Sequence, residues 1–77
     1  MLTFTISEKA VVARINRRLR RDGQMLRKTR GELARRDLGD YWVHELSRNL
    51  ALETRVDPEE MARELGVLDK YEEVEEA

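Results

Sequence analysis

The stretch Gly39-Asp40-Tyr41-Trp42-Val43-His44-Glu45-Leu46-Ser47-Arg48-Asn49-Leu50-Ala51-Leu52-Glu53-Thr54-Arg55-Val56 can be read as a helix or as a hairpin. The choice separates an all-α chain from an α+β one. Its apolar residues are dense enough for a helix over 41–52, but Ser47-Arg48-Asn49 is turn material at the centre of that span. On the hairpin reading, Tyr41–Leu46 is an aromatic and branched run opened by Gly39-Asp40. Leu50, Leu52, Thr54 and Val56 then alternate with a period of two and share one face. The turn residues decide for the hairpin.

Upstream, Met25-Leu26-Arg27-Lys28-Thr29-Arg30 ends at Gly31. As a helix this region would hold Gly31 in its interior, at roughly 1 kcal/mol against Ala. A strand over residues 25–30 followed by a loop is expected, although Leu26 and Leu33 lie seven apart.

Further back stands the clearest helix. Ser7 is a good N-cap, Glu8 suits the positive end of the helix dipole, and Ile6 can staple over Val11. Val11, Val12, Ile15 and Leu19 fall in one arc about 100° wide, with Arg14, Arg17, Arg18, Arg20 and Arg21 assigned to the opposite side. Asp22-Gly23 ends this helix, which spans about residues 8–21. Before it, Leu2, Phe4 and Ile6 alternate with threonines, a pattern open to a short edge strand.

Downstream, Asp57-Pro58-Glu59-Glu60 starts a second helix: an Asp cap, Pro at the first helical position, and two acids in the first turn. Met61, Ala62 and Leu65 form its apolar stripe, Gly66 stops it, and Val67 and Leu68 can fold back onto it. Residues 69–77 read as a solvated acidic tail beyond a domain of residues 1–68. The expected fold is therefore α+β: a small antiparallel sheet of two or three strands with an N-terminal and a C-terminal helix, αβββα or αββα, both helices on one sheet face.

With 77 residues and no cysteine, the chain has room for one modest core and no covalent or thiolate staple. Absence of cysteine fits a reducing cytoplasm. The apolar start, Met1–Ile6, is too short for a signal peptide, and no apolar run approaches the ~20 residues needed to span a bilayer. A soluble, cytoplasmic protein is expected.

Charged residues make up 40% of the chain, and the net charge of −1 conceals their segregation. Residues 1–36 carry eleven Lys/Arg against Glu8, Asp22 and Glu32; residues 37–77 carry four Lys/Arg against thirteen acids. Such asymmetry bears on partners and self-association.

Nothing in the sequence points to catalysis. The single histidine, His44, stands beside Trp42 without a motif-spaced nucleophile or metal ligand; Asp40 and Glu45 are near it only in sequence. The four glycines are scattered at element boundaries, so no glycine-rich loop cradles phosphate. Ser7 and Ser47 read as a cap and a turn residue. No enzyme activity, cofactor, metal or small-molecule substrate is expected.

Two kinds of partner fit the charge pattern. Arg14, Arg17, Arg18, Arg21, Arg27, Lys28 and Arg30 could form a patch for nucleic acid if the first helix and the second segment are neighbours. Solvation or internal pairing of these arginines is the plainer reading. The acidic second half, with Glu59, Glu60 and Glu64, could meet a basic protein or the basic half of a second copy, giving a homodimer. Tyr41 and Trp42 are consecutive on a strand, so one faces the core; the other either anchors an interface or packs under residues 31–38.

Leu26-Arg27-Lys28-Thr29-Arg30-Gly31, Asp37-Leu38-Gly39-Asp40-Tyr41-Trp42-Val43 and Ala62-Arg63-Glu64-Leu65-Gly66-Val67-Leu68, together with Arg14-Ile15-Asn16-Arg17, are similar to short uncharacterised proteins of bacterial plasmids and phages. The resemblance covers most of residues 10–68 and brings no activity or functional residues. It implies an accessory role in a mobile element, such as modulating a host complex, a defence system or replication.

Overall fold

The computed structural model describes residues 3–75. In chain order it forms β1 (Phe4–Ile6), α1 (Glu8–Leu19), a 3-10 turn (Arg20–Asp22), β2 (Gln24–Lys28), α2 (Glu32–Leu38), β3 (Tyr41–Glu45), β4 (Leu50–Glu53), α3 (Pro58–Glu64) and β5 (Glu72–Val74). The fold is α+β, with a three-stranded antiparallel sheet ordered β2-β3-β4 and a separate parallel pair, β1-β5.

α1 starts where its cap dictates: Ser7 Oγ accepts the Ala10 N–H at 3.1 Å. Val11, Ile15 and Leu19 are its buried residues, one per turn. Gly23 then takes a left-handed conformation (φ 70°), which lets the chain reverse directly into β2. In β2 and β3, Leu26 lies opposite Val43 and Lys28 opposite Tyr41, so these four share a sheet face, while Met25, Arg27, Trp42 and His44 share the other. α1 and α3 pack together over the first face. The core is Val11, Ile15, Leu19, Leu26, Tyr41, Val43, Ala62 and Leu68. α3 begins as its sequence requires, with Asp57 Oδ1 accepting the Glu59 N–H at 3.0 Å and Pro58 in its first turn. After Gly66, Leu68 folds back into the core.

Three segments differ from the reading of the sequence. Residues 32–38 form the helix α2 instead of a loop. The segment has no fully buried residue: Ala34 and Leu38, four apart, are half-buried and Leu33 is 78% exposed, so its apolar signal is weak. The hairpin's second strand stops at Glu53, and the alternation of Leu50 and Leu52 does not bury them: each is 45% exposed. A register shift between Val43 and His44 puts β4 out of step at the sheet edge. Finally, the acidic segment after residue 68 is built into the fold. Glu72–Val74 pairs in parallel with Phe4–Ile6, extended by Phe4 N–H to Tyr71 O at 2.7 Å and Glu75 N–H to Ile6 O at 2.8 Å. Leu2 of the expected edge strand, and residues 76 and 77 of the expected tail, lie outside the described residues. Among the described residues no helix is long and apolar enough to cross a membrane.

One polar contact ties α1 to the sheet's edge. Asn16 Oδ1 accepts the Leu26 N–H at 2.7 Å, and Asn16 Nδ2 donates to Leu26 O at 3.3 Å. The side-chain amide thus occupies the place of a neighbouring strand and closes the middle of the β2 edge.

A second contact makes β3 sensitive to alkali. The Tyr41 hydroxyl donates to Glu8 Oε1, and burial, followed by this hydrogen bond and the charges of Glu8 and Asp40, pushes the phenol up from 10.0 to about 12. Because the folded value is raised, Tyr41 contributes stability that is whole below pH 10 and is lost as the pH rises toward 12. In a Tyr71→Phe chain Tyr41 is the only remaining phenol. Its phenolate absorbance is expected to appear at about pH 12, together with loss of near-ultraviolet ellipticity. Titration near pH 10 with the fold intact would refute the assignment.

Candidate nucleic-acid interface

The structure sends the seven cations proposed from the sequence to two different places. Arg14, Arg17, Arg18 and Arg21 surround a depression beside Val67, on the flank of α1 facing the C-terminal segment. Arg27, Lys28 and Arg30 line a groove with Val12 and Asn16 on one side and α2 on the other. The helical wheel explains the split. Asn16 and Val12 occupy the flank of α1 turned toward β2, and Arg14 and Arg18 occupy the opposite flank, half-buried beside the apolar arc. They do not belong to the fully solvated side.

Much of the α1 charge is answered within the chain. Arg14 grips Glu72 with two hydrogen bonds of 2.8 and 3.1 Å and also donates to Val67 O at 3.1 Å. The Arg14 bond, followed by the Asp69 N–H, holds the Glu72 carboxyl below its ordinary range, and the same pair raises Arg14. Arg18 approaches Asp22 at 3.5 Å. Among the described residues Arg17 and Arg21 make no ion pair, leaving two free cations on this flank.

The second place is different in kind. The groove, about 910 Å³, is lined among the described residues by four cations, Arg27, Lys28, Arg30 and Arg35, and by no aspartate or glutamate. Gly31, Ala34, Arg35 and Leu38 bring α2 to one side, and Trp42 is half-buried among the lining residues. Trp42 therefore lines the same groove as the 31–38 segment. Its neighbour Tyr41 is only 7% exposed and faces the core, so Tyr41 is no interface anchor. Arg35 also approaches Asp40 at 3.4 Å; Lys28 and Arg30 are exposed and, among the described residues, without an ion-pair partner.

His44 belongs to the same sheet face and is fixed from both sides. Arg27 Nε donates to its Nδ1 at 2.8 Å, and its Nε2 lies 2.7 Å from Asn49 Oδ1. Arginine offers only donors, so Nδ1 must accept and the proton sits on Nε2. The ring centroid is 5.0 Å from that of Trp42. This network sets the direction of the Arg27 side chain and braces the indole. Both imidazole nitrogens are hydrogen-bonded within it.

The acidic candidates also divide. Glu59 is paired with Arg63 at 3.1 Å, whereas Glu60 and Glu64 line a shallow depression with Glu53 and Asp57 at the foot of α3.

Thr29, Val12 and Asn16 are groove residues that the sequence does not mark. Asn16 alone leaves a trace: a mid-helix asparagine beside an apolar arc, at a position where helix propensity disfavours it. No protein-family model matches the chain, and comparison with curated proteins and with solved structures gives no significant match.

Proposed function

We propose that this protein binds single-stranded nucleic acid in the groove between α1, β2 and α2. The observation that carries the reading is a lining with four cations, an indole and no carboxylate. A flexible polyanion needs cations spaced along a path and a flat apolar surface for at least one base, and duplex recognition motifs are not required. Arg27, Lys28, Arg30 and Arg35 supply the first and Trp42 the second. The α1 flank fits a strand less well, because among the described residues its lining offers no aromatic ring and Arg14 is gripped by Glu72.

The test uses Trp42, the chain's only tryptophan, as the reporter. Titration with short oligothymidylate is expected to quench its fluorescence, with affinity falling as salt rises. Four neutralised phosphates give a slope of roughly −3 in log K against log salt. A Lys28→Glu/Arg30→Glu chain is expected to bind at least about tenfold more weakly, while Arg17→Glu/Arg21→Glu stays within about threefold of the parent. The reverse ranking would move the site to the α1 flank, and no quenching at low salt would end the proposal.

A further inference from the structure

We infer that the hydroxyl of Thr29 is the floor of a phosphate subsite within this groove, covered by α2 while the groove is empty. The inference rests on the single-strand reading and adds the position of one phosphate. Thr29 is 4% exposed, and among the described residues its Oγ1 is the buried side-chain nitrogen or oxygen left without a hydrogen-bond partner. Buried hydroxyls are nearly always satisfied, so an orphan in the lining of a groove asks for the partner that completes it. The neighbours state what that partner is. Lys28 and Arg30 flank Thr29 in the chain, Arg35 comes from α2, and no carboxylate lines the groove with them. A phosphate oxygen accepts the hydroxyl proton, and the cations answer its charge.

The segment that follows Thr29 and lines the groove with it is built to give way at one end. The C-terminal end of α2 is fastened: Arg55 donates from its guanidinium to Arg36 O at 2.6 Å and Asp37 O at 3.3 Å, and from its backbone N–H to Leu38 O at 2.8 Å. Among the described residues the N-terminal end has no such anchor. Gly31, two residues after Thr29, stands at φ 87° with nothing crowding it, and no residue of α2 is buried. Rotation about Gly31 can therefore lift this end while Arg55 holds the other, admitting the ligand and carrying Arg35 back over it.

Thr29→Val keeps the shape and removes the hydroxyl. In anisotropy titrations with labelled oligothymidylate it is expected to bind about fivefold more weakly than the parent, with thermal stability undiminished because no hydrogen bond of the free protein is lost. Thr29→Ser, which retains the hydroxyl, is expected to bind as the parent does. Equal affinity for the parent and Thr29→Val would overturn the subsite; if Lys28→Glu/Arg30→Glu still weakened binding, the groove reading would survive it. Should the parent bind no oligonucleotide, that reading falls, and titration of the isotope-labelled parent with inorganic phosphate decides the subsite alone. Saturable shifts of the Thr29 and Arg30 amides would support it, and their absence would refute it. The same titration serves if Thr29→Val does not fold.

Discussion

An Ile15→Ala chain is expected to lose about 3 kcal/mol of folding stability, the range for emptying a buried isoleucine. Ile15 is fully buried and stands at the centre of the α1 stripe, between Val11 and Leu19. Deleting its outer carbons removes contacts with several core residues at once, and the pinned helix cannot collapse far into the space. Stability for a domain of this size is on the order of 4–12 kcal/mol, so the loss is a large share of the whole. Its thermal midpoint, followed by far-ultraviolet circular dichroism, should fall by roughly 15 °C. Leu33→Ala is the control: Leu33 is 78% exposed on α2, and its removal should change stability by no more than about 0.5 kcal/mol. A shift of only a few degrees for Ile15→Ala would mean that the core is not centred on α1.

Gly39→Ala should cost at least as much, for a reason unrelated to burial. Gly39 closes α2 at φ 75° and ψ −165°, a combination essentially reserved for glycine. A Cβ built there would lie 2.8 Å from both Cα and Cγ of Arg55. One of those atoms is backbone, held by the Arg55 N–H to Leu38 O bond, and cannot step aside. Conformational strain and collision together put the loss on the order of 3 kcal/mol or more, read as a lowered urea midpoint. Gly23→Ala isolates the first contribution: its φ is 70°, but nothing lies within 4 Å of the added carbon, so about 1 kcal/mol is expected. Equal midpoints for the two variants would show that the Arg55 contact is not a constraint.

What could be read from the sequence, and what could not, follows from where each signal is stored. α1 and α3 announce themselves locally through Ser7, Asp57-Pro58 and an apolar stripe, and both appear with their caps formed. The hairpin is legible because turn residues interrupt two strand-like runs. α2 is held at its C-terminal end by Arg55 and has no fully buried residue, so hydropathy carries little trace of it. β5 is a strand by virtue of a partner 68 positions away, and Glu72-Glu73-Val74 has no strand character of its own. The groove shows the same rule at the level of function. The sequence marks Arg27, Lys28 and Arg30 as cations, but only packing separates them from Arg14, which Glu72 engages, and brings Arg35 and Trp42 beside them. Charge is local information; whether a charge is already answered is not.

The parallel ribbon of β1 and β5 has a further consequence, for the order in which the chain assembles. Its register joins Phe4 to Glu72, so it cannot form until nearly the entire chain has been brought round. The helices and the β2-β3-β4 meander need only short closures, and loop entropy favours them first. The ribbon should accordingly be the last element to form and the first to open. Under native conditions the amides of Phe4 and Glu75, which donate across the ribbon, should exchange with solvent through a partial unfolding that leaves those of Ile15 and Val43 protected. Each such opening parts the Glu72 strand from β1 and loosens the Arg14 contact. Thus Arg14 joins Arg17 and Arg21 as a free cation on α1 for a small fraction of the time, without the domain unfolding.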